Sequence, residues 1–380
     1  MNFEFTDQQE MMRRTLNDLL RRVCPPEYAR KCDQERHPPR EAFSALVDGG
    51  WLGIAIPEKY GGHGGSPIDL AILLEVVGYH YNDLAAWVFR NVSHGGAAIL
   101  HSGSEEQKQE ILPKTARGQA HFAFGLTEPD AGSDAAAVST RADRNGDNYR
   151  INGVKNFTSG MDVATHILIV TRTRRGEKKH EGISNFVIPV DREGISWTKL
   201  RLLGCRAMGT SIVSYEDVLA RADEVLGEVD DGWNDVMAFL TSERLCLAAA
   251  RTGAAEAALH LALEYAKERK QFGRSIGSFQ AVAHMLADMH VLVDTSRLQV
   301  YRFAWLVSKG KAGRIEAATL KLFASEAFKK VADLGMQVMG GYGYTEDYAM
   351  ERHFRDSRLA TIGAGTSEVQ RNIIGKALGL

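Results

Sequence analysis

The hydrophobic period of this chain changes twice, from about 3.6 to 2 and back, and few architectures accommodate that order. Behind Thr6, Met12, Leu16, Leu19, Leu20 and Val23 recur at helical spacing until Pro25-Pro26 stops them. Gln9, three residues after Thr6, completes a capping-box pattern at the start. The same spacing runs through 40–49, 68–79, 83–101 and 105–117, divided by Gly and Pro punctuation that includes Gly61-Gly62-His63-Gly64-Gly65. A period of two then takes over at 122–126, 149–151, 166–171, 185–190 and 212–215, with β-branched and aromatic residues, and Asn145-Gly146 reads as a hairpin turn. From Asp231 the helical pattern returns at 233–269, 278–309, 314–339 and 366–378, segments long enough for an antiparallel bundle. The order predicts an α+β chain: a helical domain over 1–119, a central β-domain over 120–228 and a helical bundle over 229–380.

Composition narrows what such a chain can do. With 380 residues, 44% hydrophobic and 25% charged, it has ample material for a core, which excludes disorder and low complexity. Lys and Arg number 46 against 48 Asp and Glu, so no net field favours nucleic acid or an anionic membrane. Cys24, Cys32, Cys205 and Cys246 lie far apart without metal-ligand spacing, which argues against a zinc site or a disulfide framework and fits reduced thiols. The acidic start lacks the basic and apolar regions of a signal peptide, and no apolar run approaches the roughly 20 residues of a membrane span. A cytoplasmic chain without a membrane span or a metal is expected. The basic stretch 172–179 lies between two strand patterns and reads as a solvated hairpin loop, not a phosphate patch.

The densest polar signal is Gly125-Leu126-Thr127-Glu128-Pro129-Asp130-Ala131-Gly132-Ser133-Asp134, where a strand runs out into hydroxyls, glycine and open amides able to cradle an anion or a cofactor edge. Alone it is equally a polar turn. Its company decides: Lys155-Asn156-Phe157-Thr158-Ser159-Gly160, then Glu268-Arg269-Lys270-Gln271-Phe272-Gly273 with Gln280, then Met336-Gln337-Val338-Met339-Gly340-Gly341-Tyr342-Gly343, then Arg355-Asp356 and Ile362-Gly363-Ala364-Gly365-Thr366-Ser367-Glu368. In this order and number the motifs resemble the acyl-CoA dehydrogenase family of FAD flavoproteins over essentially the whole chain. That family's fold, an N-terminal helical domain, a central β-domain and a C-terminal four-helix bundle, agrees with the periodicity.

The resemblance implies a site, residue by residue. Thr127 and Ser133, with main chain at Phe124, Leu126 and Gly132, match positions that touch the flavin and the bound thioester; Ser133 counts for both. Phe157 stands where relatives usually have a Trp beside the isoalloxazine, and Ser159 where a Thr contacts flavin N5; without the motif, Phe157 would read as a core strand residue. Arg269, Gln271, Phe272, Gln280, Gln337 and Gly341 match positions holding the FAD adenosine and pyrophosphate, partly across a subunit interface, which implies a homotetramer built as a dimer of dimers. An Arg fork suits pyrophosphate and Gly341 admits close backbone approach. Thr366 and Glu368 match further cofactor contacts, or simply cap the last helix.

The implied reaction removes an α-proton from an acyl-CoA thioester and a β-hydride to the flavin, giving the trans-2-enoyl thioester, with electrons passed to an electron-transferring flavoprotein. It needs a carboxylate base in a dry pocket. Most relatives carry a Glu where this chain has Ala364. A minority, with isovaleryl-CoA dehydrogenase the most similar in base placement, carry it in a Glu-Arg-Leu segment, here Glu243-Arg244-Leu245. Helical neighbours test that choice independently: Val236, Phe239, Leu240, Cys246, Leu247 and Ala250 are all apolar, so a carboxylate at 243 needs a partner or a role. Glu256 lies on a similar face but matches no base. Arg244 would orient the base or adjoin substrate, and the Ala364 N–H would polarise the thioester carbonyl. Two readings stay open: a carrier-protein thioester as substrate, and a flavin oxidase or monooxygenase on the same fold.

Overall fold

The computed structural model describes residues 4–380. Helix α1 (Asp7–Val23) opens on the expected capping box, with Gln9 N–H donating to Thr6 Oγ1 at 3.2 Å and Thr6 N–H to Gln9 Oε1 at 3.1 Å. Pro25-Pro26 ends it, but Pro26 also opens α2 (Pro26–Glu35), because the first helical position has no N–H to satisfy. Next come α3 (Arg40–Asp48), α4 (Pro67–His80) and α5 (Asn82–Arg90). The single helix expected over 83–101 is widened in its middle. It runs from α5 into a π-helical segment, Asn91–Ala97, then α6 (Ala98–Ser102), followed by α7 (Glu105–Ala116).

The central strands are β1 (Phe122–Gly125), β2 (Arg141–Asn145), β3 (Asn148–Ser159), β4 (His166–Arg172), β5 (Ile183–Pro189), β6 (Ile195–Lys199), β7 (Thr210–Ala220) and β8 (Val225–Leu226). They form one sheet in the order β6-β7-β3-β2-β4-β5-β8, with β1 parallel to β4. The hairpin turn between β2 and β3 lies one residue later than expected: Asn145 pairs with Asn148, leaving Gly146-Asp147 as the turn, with Gly146 at φ 64°. Strand β6 escaped the sequence reading because its side chains are largely exposed. Residues 173–182 form the loop of the β4–β5 hairpin, exposed over 174–180.

The chain closes with α8 (Gly232–Glu268), a two-stranded hairpin of β9 (Lys270–Gln271) and β10 (Arg274–Ser275), then α9 (Gln280–Ser308), α10 (Arg314–Met339), α11 (Met350–Ala360) and α12 (Ser367–Ala377). Helix α8 is buried on nearly all sides through its middle, residues 243–255, as a helix at the centre of a bundle must be. It packs so closely on α4 that a Cβ on Gly253 would lie 1.9 Å from Glu75 O, and one on Gly78 2.1 Å from Ala250 O. Beside this crossing Glu75 accepts from Arg297 Nε at 2.6 Å and from the Tyr301 hydroxyl, while Arg297 Nη2 reaches Glu256 at 2.7 Å. Glu256 is therefore half of a clamp joining α4, α8 and α9. A shared core that includes Leu16, Leu74, Leu245, Phe303 and Leu320 binds the first helices to the last.

Candidate active site

The loop after β1 is fixed by a buried ion pair. Lys155, fully buried on β3, donates to Glu128 Oε1 at 2.7 Å and Leu126 O at 3.1 Å. Glu128 also accepts from Ser139 N and Oγ at 2.7 Å each and Thr140 N at 2.9 Å. Burial acts to raise the Glu128 carboxyl, but the Lys155 charge and these donors outweigh it and hold the group down at about 2; burial draws Lys155 down to about 8. Both residues of the polar motifs are thus structural. The loop they hold leaves Gly132 and Ser133 exposed and Leu126 and Thr127 half-buried.

Across from that loop β3 carries an irregularity between Lys155 and Thr158 in its pairing with β7, and Phe157 takes φ 56°. Such a bulge re-aims a side chain. Phe157 is 62% exposed rather than in the core, next to Ser159, whose hydroxyl lies 2.6 Å from Thr210 Oγ1. The Asn156 N–H donates to Thr127 O at 2.7 Å, so the two motifs form one surface.

Glu243 and Arg244 lie on α8, both buried. Glu243 Oε1 is 3.9 Å from His94 Nε2, and its Oε2 has no hydrogen-bond partner. Neither ring nitrogen of His94 nor Arg244 Nε has one either. Phe124 connects this pair to β1: its ring centroid is 5.0 Å from His94 and 5.1 Å from Phe239, one turn before Glu243. The turn at 363–366 is linked to this group through Lys321. Ala364 has φ 56°, Gln370 donates to Ala364 O at 3.4 Å, and Lys321 donates to Gly365 O at 2.5 Å. Burial, and after it the charges of Arg251 and Arg244, push the Lys321 ammonium down to about 7 against the pull of Glu243 and Glu368. Thr366 caps α12 by accepting from Val369 N at 3.2 Å, and Glu368 is exposed beside it.

The remaining motif residues gather elsewhere. Arg269, Gln271 and Gly341 line a cleft of about 530 Å³ with Tyr265 and Tyr342, and the Arg269 guanidinium lies 5.7 Å from the Tyr342 ring centroid. Phe272 stands 93% exposed at the hairpin tip; Gln280 opens α9 and Gln337 lies in the last turn of α10. Along α8 this group is about 40 Å from Glu243, at ~1.5 Å per residue.

Four buried or enclosed basic residues near Glu243 were not singled out from sequence: Arg90, His94, Arg251 and Lys321. Arg251 gave a readable signal, since Leu247, Ala248, Ala254, Ala255 and Ala258 surround it at helical spacing. His94 gave none, because it has no ligand spacing.

Models of three acyl-CoA dehydrogenase domains match the chain: the N-terminal domain over residues 6–119, the middle domain over 123–218 and the C-terminal domain over 230–379. A probable acyl-CoA dehydrogenase of Bacillus subtilis (strain 168) is 38% identical over 379 residues, 100% of each chain. The structure of butyryl-CoA dehydrogenase from Megasphaera elsdenii superposes with a TM-score of 0.95 at 32% identity, covering 100% of both chains. A chain from a study of the electron transferring flavoprotein of Acidaminococcus fermentans gives a TM-score of 0.96 at 34% identity, covering 100% of this chain and 99% of that one. With its order of elements and its motifs, this places the chain in the acyl-CoA dehydrogenase family, FAD-dependent oxidoreductases with a helical N-terminal domain, a central β-sheet domain and a C-terminal helical domain.

Proposed function

We propose that the protein oxidises an acyl-CoA thioester between Cα and Cβ, with Glu243 as the base that takes the α-proton. One observation carries this reading: a buried carboxylate on α8 whose Oε2 has no partner, beside the His94 ring that packs on Phe124 of β1. An unpartnered carboxylate in such a place is costly unless it has work to do.

The residues fit FAD. Phe157 and Phe272, large apolar side chains at motif positions, are 62% and 93% exposed, and a Cβ on Gly340 or Gly341 would meet nothing within 4 Å. Phe124, Leu126, Thr127, Gly132, Ser133, Phe157, Ser159, Thr366 and Glu368 would hold the flavin end. Arg269, Gln271, Phe272, Gln280, Gln337 and Gly341 would hold the adenosine and pyrophosphate end of the FAD of a partner subunit. Their separation along α8 supports that division and with it a homotetramer. Bound FAD supplies the acceptor for the β-hydride. Domains spanning 1–119, 120–228 and 229–380 then meet around the substrate.

The chain's own part is acid–base and positioning work. Glu243 removes the α-proton; Arg244 on the next position adds positive charge beside it; Ser133 borders the thioester. The Ala364 N–H, which makes no hydrogen bond among the described residues, is free to polarise the thioester carbonyl. The relative studied with an electron transferring flavoprotein supports such a protein as the electron acceptor. Four unpaired thiols fit the cytoplasm, and no helix among the described residues is long and apolar enough to cross a membrane.

Anaerobic mixing with isovaleryl-, butyryl-, octanoyl- and palmitoyl-CoA tests the reaction by flavin bleaching. Glu243→Gln is expected to bind FAD as the parent does and to bleach about 10²–10⁴-fold more slowly, the usual worth of a general base. Bleaching at the parental rate would end the assignment.

A further inference from the structure

The neighbourhood of Glu243 holds more positive charge than the base can balance. Its carboxylate acts electrostatically on Arg90, Arg244, Arg251 and Lys321, and His94 is 3.9 Å away. Arg251 Nη1 has only the Ser325 hydroxyl, at 3.0 Å. Two other carboxylates lie nearby: Asp83, the first of the charges acting on Arg90, accepts from Ala207 N at 2.8 Å through Oδ2, and Asp356 accepts from Cys205 N at 2.6 Å. Burial raises both, Asp83 to about 6 and Asp356 to about 7, which reduces the negative charge they offer. Guanidinium groups stay charged, and buried charges are normally paired.

Arg90 is the informative member. It ends α5 at the mouth of the π-helical segment, and π-helical turns concentrate at functional sites. Every residue from Trp87 to Gly96 is buried except Arg90, which is half-buried. One edge is tied down, with Nη1 donating to Ala86 O at 2.6 Å. The other edge, Nε and Nη2, makes no hydrogen bond among the described residues; this is the planar fork that receives a carboxylate in bidentate fashion. The side chain runs beside the flavin-side strand, since a Cβ on Gly160 would lie 3.4 Å from Arg90 Cδ. His94 is four residues on, both its ring nitrogens are unpartnered, and it touches the base.

We infer that the acyl group oxidised here ends in a carboxylate, seated on the free edge of Arg90 with His94 alongside, so that the substrate is a short dicarboxylic acyl-CoA rather than a plain fatty acyl-CoA. The inference rests on the dehydrogenase reading above and names its substrate class. The added negative charge offsets the excess of Arg90, Arg244 and Arg251, and a plain alkyl chain would leave the Arg90 fork buried against hydrocarbon.

The test separates binding from reaction. FAD-loaded Glu243→Gln is titrated with glutaryl- and adipyl-CoA against pentanoyl- and hexanoyl-CoA, following the flavin spectrum, and the parent protein is mixed with the same four anaerobically. The dicarboxylic thioesters are expected to bind at least tenfold more tightly and to bleach the parent flavin. Arg90→Leu is expected to lose that preference and Arg90→Lys to keep part of it. Tighter binding of pentanoyl- or hexanoyl-CoA by the protein with Arg90 intact overturns the inference, whether or not the Arg90 variants fold. If those neutral thioesters also bleach the parent flavin, the dehydrogenase reading survives its loss. Absence of bleaching by any thioester in either panel, with FAD bound, removes the dehydrogenase reading and this inference with it.

Discussion

Glu243 was singled out by its place in a Glu-Arg-Leu segment that resembles a family base position, and the regularity of the α-helix allowed a check, since its neighbours three, four and seven positions away are all apolar. Arg90 and His94 resisted the same reasoning. They stand on either side of a point where the helix widens, and the widened turn changes which residues share a face. Glu128 and Lys155 show the opposite limit: their motifs were visible, but only the fold shows that they pair with each other at 2.7 Å. Breaking this pair is expected to cost about 3–5 kcal/mol for Glu128→Gln, which leaves the Lys155 ammonium buried beside an amide. Lys155→Met should cost less, because Glu128 retains the Ser139 and Thr140 donors. Denaturant midpoints would rank the two variants. The pH dependence follows from the sign of the shift. A carboxyl held at about 2 stabilises the fold fully above its unfolded value, near 4.5, and loses that contribution as pH falls through about 2. The advantage of the parent over Glu128→Gln should therefore shrink between those limits, a trend that urea titrations at several pH values would reveal.

Among the elements, long amphipathic or β-branched runs were easy to recognise; the two-residue strands β8, β9 and β10 were not, nor were three longer elements. Helix α2 hides behind prolines that look like a stop, α11 reads as charged (mainly Arg, Asp and Glu) with little apolar period, and β6 exposes most of its side chains. The crossing of α4 and α8 was also invisible, since Gly78 and Gly253 look like weak points in a helix until their partners are known. Gly253→Ala should push the helices apart and destabilise the protein by about 1–3 kcal/mol or more, as overpacking does. Gly375→Ala, on α12 where an added Cβ meets nothing within 4 Å, should stabilise by about 0.5–1 kcal/mol. Thermal unfolding of the pair separates close approach from helix propensity. Equal shifts of the same sign would mean that the crossing tolerates a methyl group.

For the molecule as a whole, the α, β, α order was fixed by the two changes of period, while the distance between the two groups of motif residues was not, because motif order says nothing about which end of a helix a residue serves. Phe272 and Tyr344 are 93% and 84% exposed beside the Arg269 cleft, and on the proposed reading they would meet another protomer and its cofactor. Sedimentation of the FAD-loaded protein is expected to give a tetramer, and removal of FAD to shift the population toward smaller species. A stable monomer in the loaded state would contradict that expectation. Helix α8, 37 residues without interruption, adds a mechanical constraint. It carries Glu243, the proposed base, about a third of the way along and leads into Arg269 at its far end, with the Gly253 contact between them. A rigid rod has one axial coordinate, so on the proposed reading a ligand that seats Arg269 in a neighbour's site would also set the reach of Glu243 in its own.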